Sequence, residues 1–297
     1  WDFYKINIKQ VSISENATTI GSYAFYYHTS LTTINLPITL KSIGSYAFSG
    51  CINLQQLNIP SEVNNIGTSS FSYCTNLKSI EFSSNYTTFG TNVFDHCSNL
   101  ESIELPENLT TIPSNMFNQC NKLASVKIPN GVTVIESRSF YYCNVLKNIT
   151  LPSSLLRIGS YAFNYCYRLS MKSFPINLTS IGSYAFYYCD ILNANVSEKV
   201  TSLGEYAFYK CSVMRYFYMP RCLTSIGSYC FSYSGLNSLD IPESITEILP
   251  STFSYCKSLV RVTLPNNMRY IREEAFYSCI FLQIINMPND LISIGEK

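Results

Sequence analysis

The sequence predicts an α/β repeat protein, a solenoid of short parallel strands, on three observations. A phenylalanine recurs at a fixed interval, each interval carries the same apolar pattern, and proline and glycine fall at set places within it. The phenylalanines are Phe25, Phe48, Phe71, Phe94, Phe117, Phe140, Phe163, Phe186, Phe208, Phe231, Phe253 and Phe276, spaced by 23 residues except for two steps of 22.

Aligned on that Phe, the unit reads Leu-x-x-Ile-x-Leu-Pro-x-x-Leu-x-x-Ile-Gly-x-x-Ala-Phe-x-x-Cys-x-x, as Leu31 to Asn53 shows. This is a leucine-rich-repeat pattern. Twelve full repeats run from Ile8 to Phe281 and a partial repeat covers 282–297, so 1–297 reads as a single leucine-rich-repeat solenoid. The steps of 22 mark single-residue deletions. One is expected between Leu192 and Leu203, where the unit also loses its Pro, and the other after Phe231, where Ser234-Gly235 replaces the usual Cys-x-x. Neither end carries a recognisable cap, and because an uncapped solenoid exposes core edges, both ends read as truncated.

Each unit opens with apolar and polar residues in alternation, as from Leu54 to Pro60, which is a short strand ended by a residue with no amide donor. Two apolar residues three apart follow, as in Leu40-Lys41-Ser42-Ile43, and then a Gly able to take a positive φ. Ala47, Phe48 and Cys51 then share a spacing that fits one helical or 3₁₀ turn. No unit can bury its apolar positions alone, whereas stacked units bury them in one continuous core. The expected fold is a right-handed, curved solenoid with a parallel sheet on its concave side, roughly 55 Å long at strand spacing, and short helical or 3₁₀ turns on the convex side.

Composition narrows function. With 46% hydrophobic residues the chain buries a substantial core, which excludes a disordered protein. Twenty Lys and Arg against nineteen Asp and Glu leave a formal charge of +1, so no global field recruits nucleic acid or anionic membrane. The most apolar stretch, Cys279 to Met287, is interrupted well short of the roughly 20 residues of a spanning helix. Trp1-Asp2-Phe3-Tyr4 does not resemble an export leader.

The motif in Leu178-Thr-Ser-Ile-Gly-Ser-Tyr-Ala-Phe-Tyr-Tyr-Cys189 and its eleven relatives resembles the BspA-like, or Treponema-type, leucine-rich repeats. The resemblance covers essentially the whole chain. It implies a secreted or cell-surface protein of the kind found in oral bacteria and anaerobic parasitic protists, adhering to host cells, extracellular matrix or other microbes through a protein or glycan on their surfaces. The verbatim Ser-Tyr-Ala-Phe and the Tyr- and Asn-rich wording look most like the protist members. The family shares no catalytic residues, so none is carried over and no cofactor is implied.

Most outward strand positions hold Ser, Thr, Asn or Gln, as at Thr33, Asn35, Gln56 and Asn58. The ninth strand differs. In Met214-Arg215-Tyr216-Phe217-Tyr218-Met219-Pro220-Arg221, alternation sends Phe217 and Met219 inward and leaves Tyr216 and Tyr218 on the concave face, flanked by Arg215 and Arg221. Arg261 is expected two coils further on and Ile284 three. Tyr and Arg dominate interface hot spots, so these residues are the expected ligand-binding set, against the plainer reading of Tyr as an ordinary strand former.

A second constellation is acidic. Glu81 and Glu104 occupy the same position in adjacent strands, with Glu101 and Glu107 nearby. Like charges across a ladder are mildly destabilising. A cation site or a carboxylate-pair glycosidase would use such closeness, but an open sheet excludes no water, and a solvated strip offset by Lys78 and Lys127 is the expected reading. His28 and His96 lie in different repeats and make no shared cleft.

Ten of the twelve cysteines stand three residues after the repeat Phe, with His28 and Ser234 in that place in the remaining units. Stacking makes their side chains parallel, which disfavours the disulfide dihedral and supplies no tetrahedral ligand set, so buried reduced thiols are expected. Cys230, replacing the usual Ala, is expected in the core, and Cys222, in a loop, is the reactive one. Such a ladder argues against a strongly oxidising compartment, a conflict an anaerobic habitat removes. Six Asn-x-Ser/Thr sequons, at Asn16, Asn85, Asn108, Asn148, Asn177 and Asn195, are compatible with secretion, though this composition writes them readily. The leading function is an extracellular binding module, followed by an intracellular protein-interaction scaffold and then an enzyme or cation binder built on Glu81 and Glu104.

Overall fold

The structure is a computed structural model and describes residues 7–83, 87–171 and 173–296. It divides into two compact units, 1–152 and 153–297, each carrying six of the repeat phenylalanines.

Every coil has three sides. In the first unit one side is formed by strands such as Gln56–Ile59 and Ser79–Phe82, paired in parallel, and by Ser102–Glu104, Ser125–Lys127 and Asn148–Ile149, likewise parallel and all 23 residues apart. A second side consists of two-residue strands, Thr19–Ile20, Ser42–Ile43, Asn65–Ile66 and Thr88–Phe89, in the same register. The second unit repeats this. Asn193–Asn195 pairs with Tyr216–Tyr218, and Ser238–Asp240 with Arg261–Thr263 and then Ile284–Ile285. Its two-residue strands run from Arg157–Ile158 through Ser180–Ile181 and Ser202–Leu203 to Ser225–Ile226.

The third side departs from expectation. Among the described residues there is no helix; the segment from Gly to Cys is a run of tight turns. Its amide groups alternate between two destinations. Ala185, Tyr187 and Cys189 donate to the carbonyls three residues back, whereas Tyr184, Phe186 and Tyr188 donate to Glu205, Ala207 and Tyr209 of the next coil, at 2.8–2.9 Å. Two residues per coil make this possible by taking positive φ: the one two places before the Phe, such as Tyr184 at 59°, and the one before the Cys, such as Tyr188 at 62°. A helix would keep every amide in its own coil. The Ala, Phe and Cys spacing fits both geometries, and it is the left-handed residues that select this one.

The repeat glycine also has a different reason from the one expected. Gly44 and Gly204 do not take positive φ; a Cβ on them would stand 2.4 Å from the backbone N of Ser22 and 2.3 Å from that of Ser183. At these two positions glycine lets consecutive coils touch, whereas other coils hold Pro113, Glu136, Leu249 and Arg272 in the equivalent place.

The core is a set of ladders. In the first unit Phe48, Phe71, Phe94, Phe117 and Phe140 stack with ring centroids 5.3–5.8 Å apart, and in the second Phe163, Phe186, Phe208, Phe231, Phe253 and Phe276 do so at 5.3–5.6 Å. Ladder burial also relocates the first deletion. Ile191 is fully buried while Leu192 is 55% exposed, so the missing residue lies between Cys189 and Ile191, earlier than the sequence suggested.

The thiols form the parallel stack expected of them, all free, ten of the twelve buried, with Cys222 exposed and Cys279 half-buried. Nine of the ladder thiols donate to the carbonyl of the preceding coil's Phe, as from Cys74 to Phe48 at 3.2 Å and from Cys211 to Phe186 at 3.2 Å. Burial pushes the Cys51 and Cys211 thiols up to about 12 and others higher still, which keeps them protonated and unreactive. Titrating the native protein with an aromatic disulfide reagent is therefore expected to label Cys222 and Cys279 only, and the unfolded protein to yield nearly all twelve. Labelling of most thiols before unfolding would contradict the buried ladder.

Candidate binding face

The strand Tyr216–Tyr218 is oriented by its middle residue. Phe217 is 6% exposed and meets Phe208 and Phe231 edge-on, at centroid distances of 5.2 and 4.7 Å, and Met219 is buried beside it. With these two side chains inward, alternation leaves Tyr216 56% and Tyr218 45% exposed. They stand opposite Asn193 and Asn195 of the preceding coil, and with Asn195, Ser238 and Asp240 they line a shallow depression of about 320 Å³.

The predicted cations are placed unequally. Arg221 joins the site through its backbone N–H, which donates to Glu198 Oε2 at 3.0 Å, while the Tyr218 hydroxyl donates to Glu198 Oε1. The Tyr218 bond, and secondarily that from Arg221, holds the Glu198 carboxyl below its ordinary range, and the same bond raises the Tyr218 phenol. Arg261 lies in register with Ser238 and Ile284 and turns its guanidinium to Asp240, 3.3 Å away; both are well exposed, so the pair contributes little to stability. Arg215 is exposed before the strand, and its carbonyl accepts from Asn237 of the next coil. The site thus holds two carboxylates that sequence reasoning missed, Glu198, bonded by the Tyr218 hydroxyl and the Arg221 amide, and Asp240, facing the Arg261 guanidinium. Glu198 lies in a loop twenty residues before Tyr218, with no periodic signal to mark it.

In the first unit the acidic strip is exposed and partly neutralised. Lys127 Nζ lies 3.2 Å from Glu104 and 3.9 Å from Glu107. Glu81 stands opposite Asn58, and Glu101 is exposed just ahead of the strand Ser102–Glu104. A depression of about 420 Å³ opens beside Glu104 and Lys127. Among the described residues no group of three His, Cys, Asp or Glu is placed to hold a metal ion. His28 is buried edge-on to Phe25, and His96 stacks on Tyr73 with its Nδ1 2.8 Å from Asp95. Of the sequon asparagines, Asn85 lies outside the described residues, and Asn16, Asn108 and Asn195 are exposed.

A second aromatic surface went unread in the sequence, although its spacing was visible there. On the turn side of the second unit, Tyr161, Tyr184, Tyr206 and Tyr229 stack in one row, and Lys210 sits among Tyr188, Tyr209 and Tyr233, its Nζ 4.6 Å from the Tyr188 ring centre and hydrogen-bonded to that hydroxyl.

The repeat geometry agrees with the family comparison: the model of the BspA-type leucine-rich-repeat region matches residues 2–117, 87–215 and 179–297. The chain belongs to that family. Among solved BspA-type and other leucine-rich-repeat structures it is similar to a leucine-rich repeat protein from Bacteroides ovatus, 25% identical over 96% of this chain and 80% of that one, with a TM-score of 0.74. It is also similar to a leucine-rich cell surface protein from Faecalibacterium prausnitzii, 27% identical over 94% and 88%, with a TM-score of 0.57. The pneumococcal vaccine antigen PcpA shares the fold at 19% identity over 94% and 79%, with a TM-score of 0.60. No curated protein sequence matches the chain. BspA-type proteins are generally surface or secreted, and no helix among the described residues is long and apolar enough to cross a membrane.

Tyr218→Phe removes the donor that favours charged Glu198, so the Glu198 carboxyl, followed by NMR titration, is expected to titrate at higher pH than in the native chain. An unchanged midpoint would show that the link is absent in solution.

Proposed function

We propose that this BspA-type solenoid is an extracellular adhesin: a module that binds a protein or glycan on host cells, extracellular matrix or other microbes, with Arg215, Tyr216, Tyr218, Arg221 and Arg261 as its anchoring residues. The observation that carries the reading is the strand Tyr216–Tyr218, where two large rings stand out of a sheet whose neighbouring outward residues, Asn193, Asn195 and Ser238, are small and polar. Such rings supply wide contact area at modest entropic cost, and guanidinium groups beside them supply hydrogen bonds. The family and the cell-surface naming of the Faecalibacterium relative support the location.

The thiol ladder favours a second reading, an intracellular scaffold that binds proteins through the same strands, because a reducing compartment keeps such thiols free without further conditions. Binding of the purified chain to intact host cells, matrix-coated surfaces and other microbes separates the two. Adhesion to those surfaces is expected, and Tyr216→Ala with Tyr218→Ala is expected to weaken it by at least about 2 kcal/mol, roughly thirty-fold, while Thr33→Ala with Asn35→Ala changes it little. Equal losses from the two folded variants would remove the site, and retention of cytosolic proteins with no surface binding would favour the scaffold.

A further inference from the structure

We propose that the stacked tyrosines Tyr161, Tyr184, Tyr206 and Tyr229 are a site of oxidative modification, where a peroxidase using hydrogen peroxide couples neighbouring rings into dityrosine and bonds consecutive coils covalently. Ring centroids along the row are 4.7, 4.6 and 4.6 Å apart with interplanar angles of 5°, 13° and 4°, so each ring faces the next in van der Waals contact. The row is held by the backbone: all four residues have φ of 54–60°, and the Tyr184 and Tyr206 amides donate to Glu205 and Ser228 of the next coil. All four are half-buried, so ring edges and hydroxyls reach solvent. Tyr216 and Tyr218 are more exposed, yet among the described residues no ring stacks on either. Exposure and radical pairing therefore select different tyrosines, and only the turn side offers the second.

The chemistry balances. Each of two phenols gives one electron and its hydroxyl proton to become a phenoxyl radical, and the two radicals join at ring carbons ortho to oxygen. The hydrogen on each joined carbon then moves to the oxygen, restoring both phenols. The two electrons and two protons released reduce one hydrogen peroxide to two waters. Burial raises the Tyr184 and Tyr206 phenols, so they stay protonated at neutral pH and the proton must leave with the electron. The neighbouring tyrosines and, last, the Glu205 charge add to that upward push on both phenols. Holding two reactants in contact makes the coupling intramolecular and fast relative to encounter between chains. Each bond closes a loop of one coil, a constraint on the unfolded chain of the kind disulfides supply elsewhere.

The test uses the full chain, dilute, treated with a haem peroxidase and hydrogen peroxide and read by dityrosine fluorescence and by mass spectrometry of the digested monomer. The expected products are monomers that have lost two hydrogen atoms per bond, with cross-linked peptides joining Tyr161 to Tyr184, Tyr184 to Tyr206 or Tyr206 to Tyr229. Tyr206→Phe keeps the stack but lacks the phenol; peptides linking position 206 to Tyr184 or Tyr229 should disappear while the Tyr161–Tyr184 link persists, with the circular dichroism unchanged. The same treatment in urea should lose the pairing and scatter the links. Dityrosine absent from the monomer, links found mainly through Tyr216 or Tyr218, or a pattern of links insensitive to Tyr206→Phe would each overturn the proposal.

Discussion

The structure depends on one constraint: a coil of 23 residues cannot satisfy its own backbone, so each coil must hydrogen-bond to the next on every side. Buried amides are costly to leave unpaired. The first strand and the two-residue strand meet that demand by parallel pairing, and the turn side meets it by sending alternate amides forward, as Phe48 does to Ser70 and Phe186 does to Ala207. Once three sides bond coil to coil, the register is fixed and equivalent residues must lie one above another.

The ladders are consequences of that register. Phe stacks on Phe, thiol on thiol and, in the second unit, Tyr on Tyr, because each side chain's neighbour is its own counterpart one repeat on. Stacking in turn offsets what the register costs. A side chain at positive φ costs roughly 1–2 kcal/mol in L-residues, and ring stacking returns about 0.5–1.5 kcal/mol per pair. The same geometry leaves the cysteines parallel and reduced, and leaves no room for a Cβ at Gly44, Gly204 or Gly227.

Much of this was legible in the sequence, for physical reasons that also mark where legibility ends. The recurring Phe and Cys announced the stack because burial selects residue type at each position. Tyr216 and Tyr218 could be placed outside and Phe217 inside because strand alternation is strict. The turn side could not be told from a helix, since Ala, Phe and Cys share a face in either geometry and Tyr is a poor guide to positive φ. Glycine misled because freedom of φ and absence of Cβ look identical in a sequence. Glu198 and Asp240, which pair with Tyr218 and Arg261, were invisible because their partners lie twenty or more residues away in loops and neighbouring strands.

Native-state amide hydrogen exchange tests the central claim most directly, since it reports the coil-to-coil bonds one amide at a time. The turn-side amides of Phe48, Phe71, Phe186 and Phe208 are expected to exchange as slowly as the strand amides of Ile80 and Phe217, although no helix or strand contains them. Fast exchange at those phenylalanines, with the strands still protected, would show that only two sides bond coil to coil and would contradict that claim.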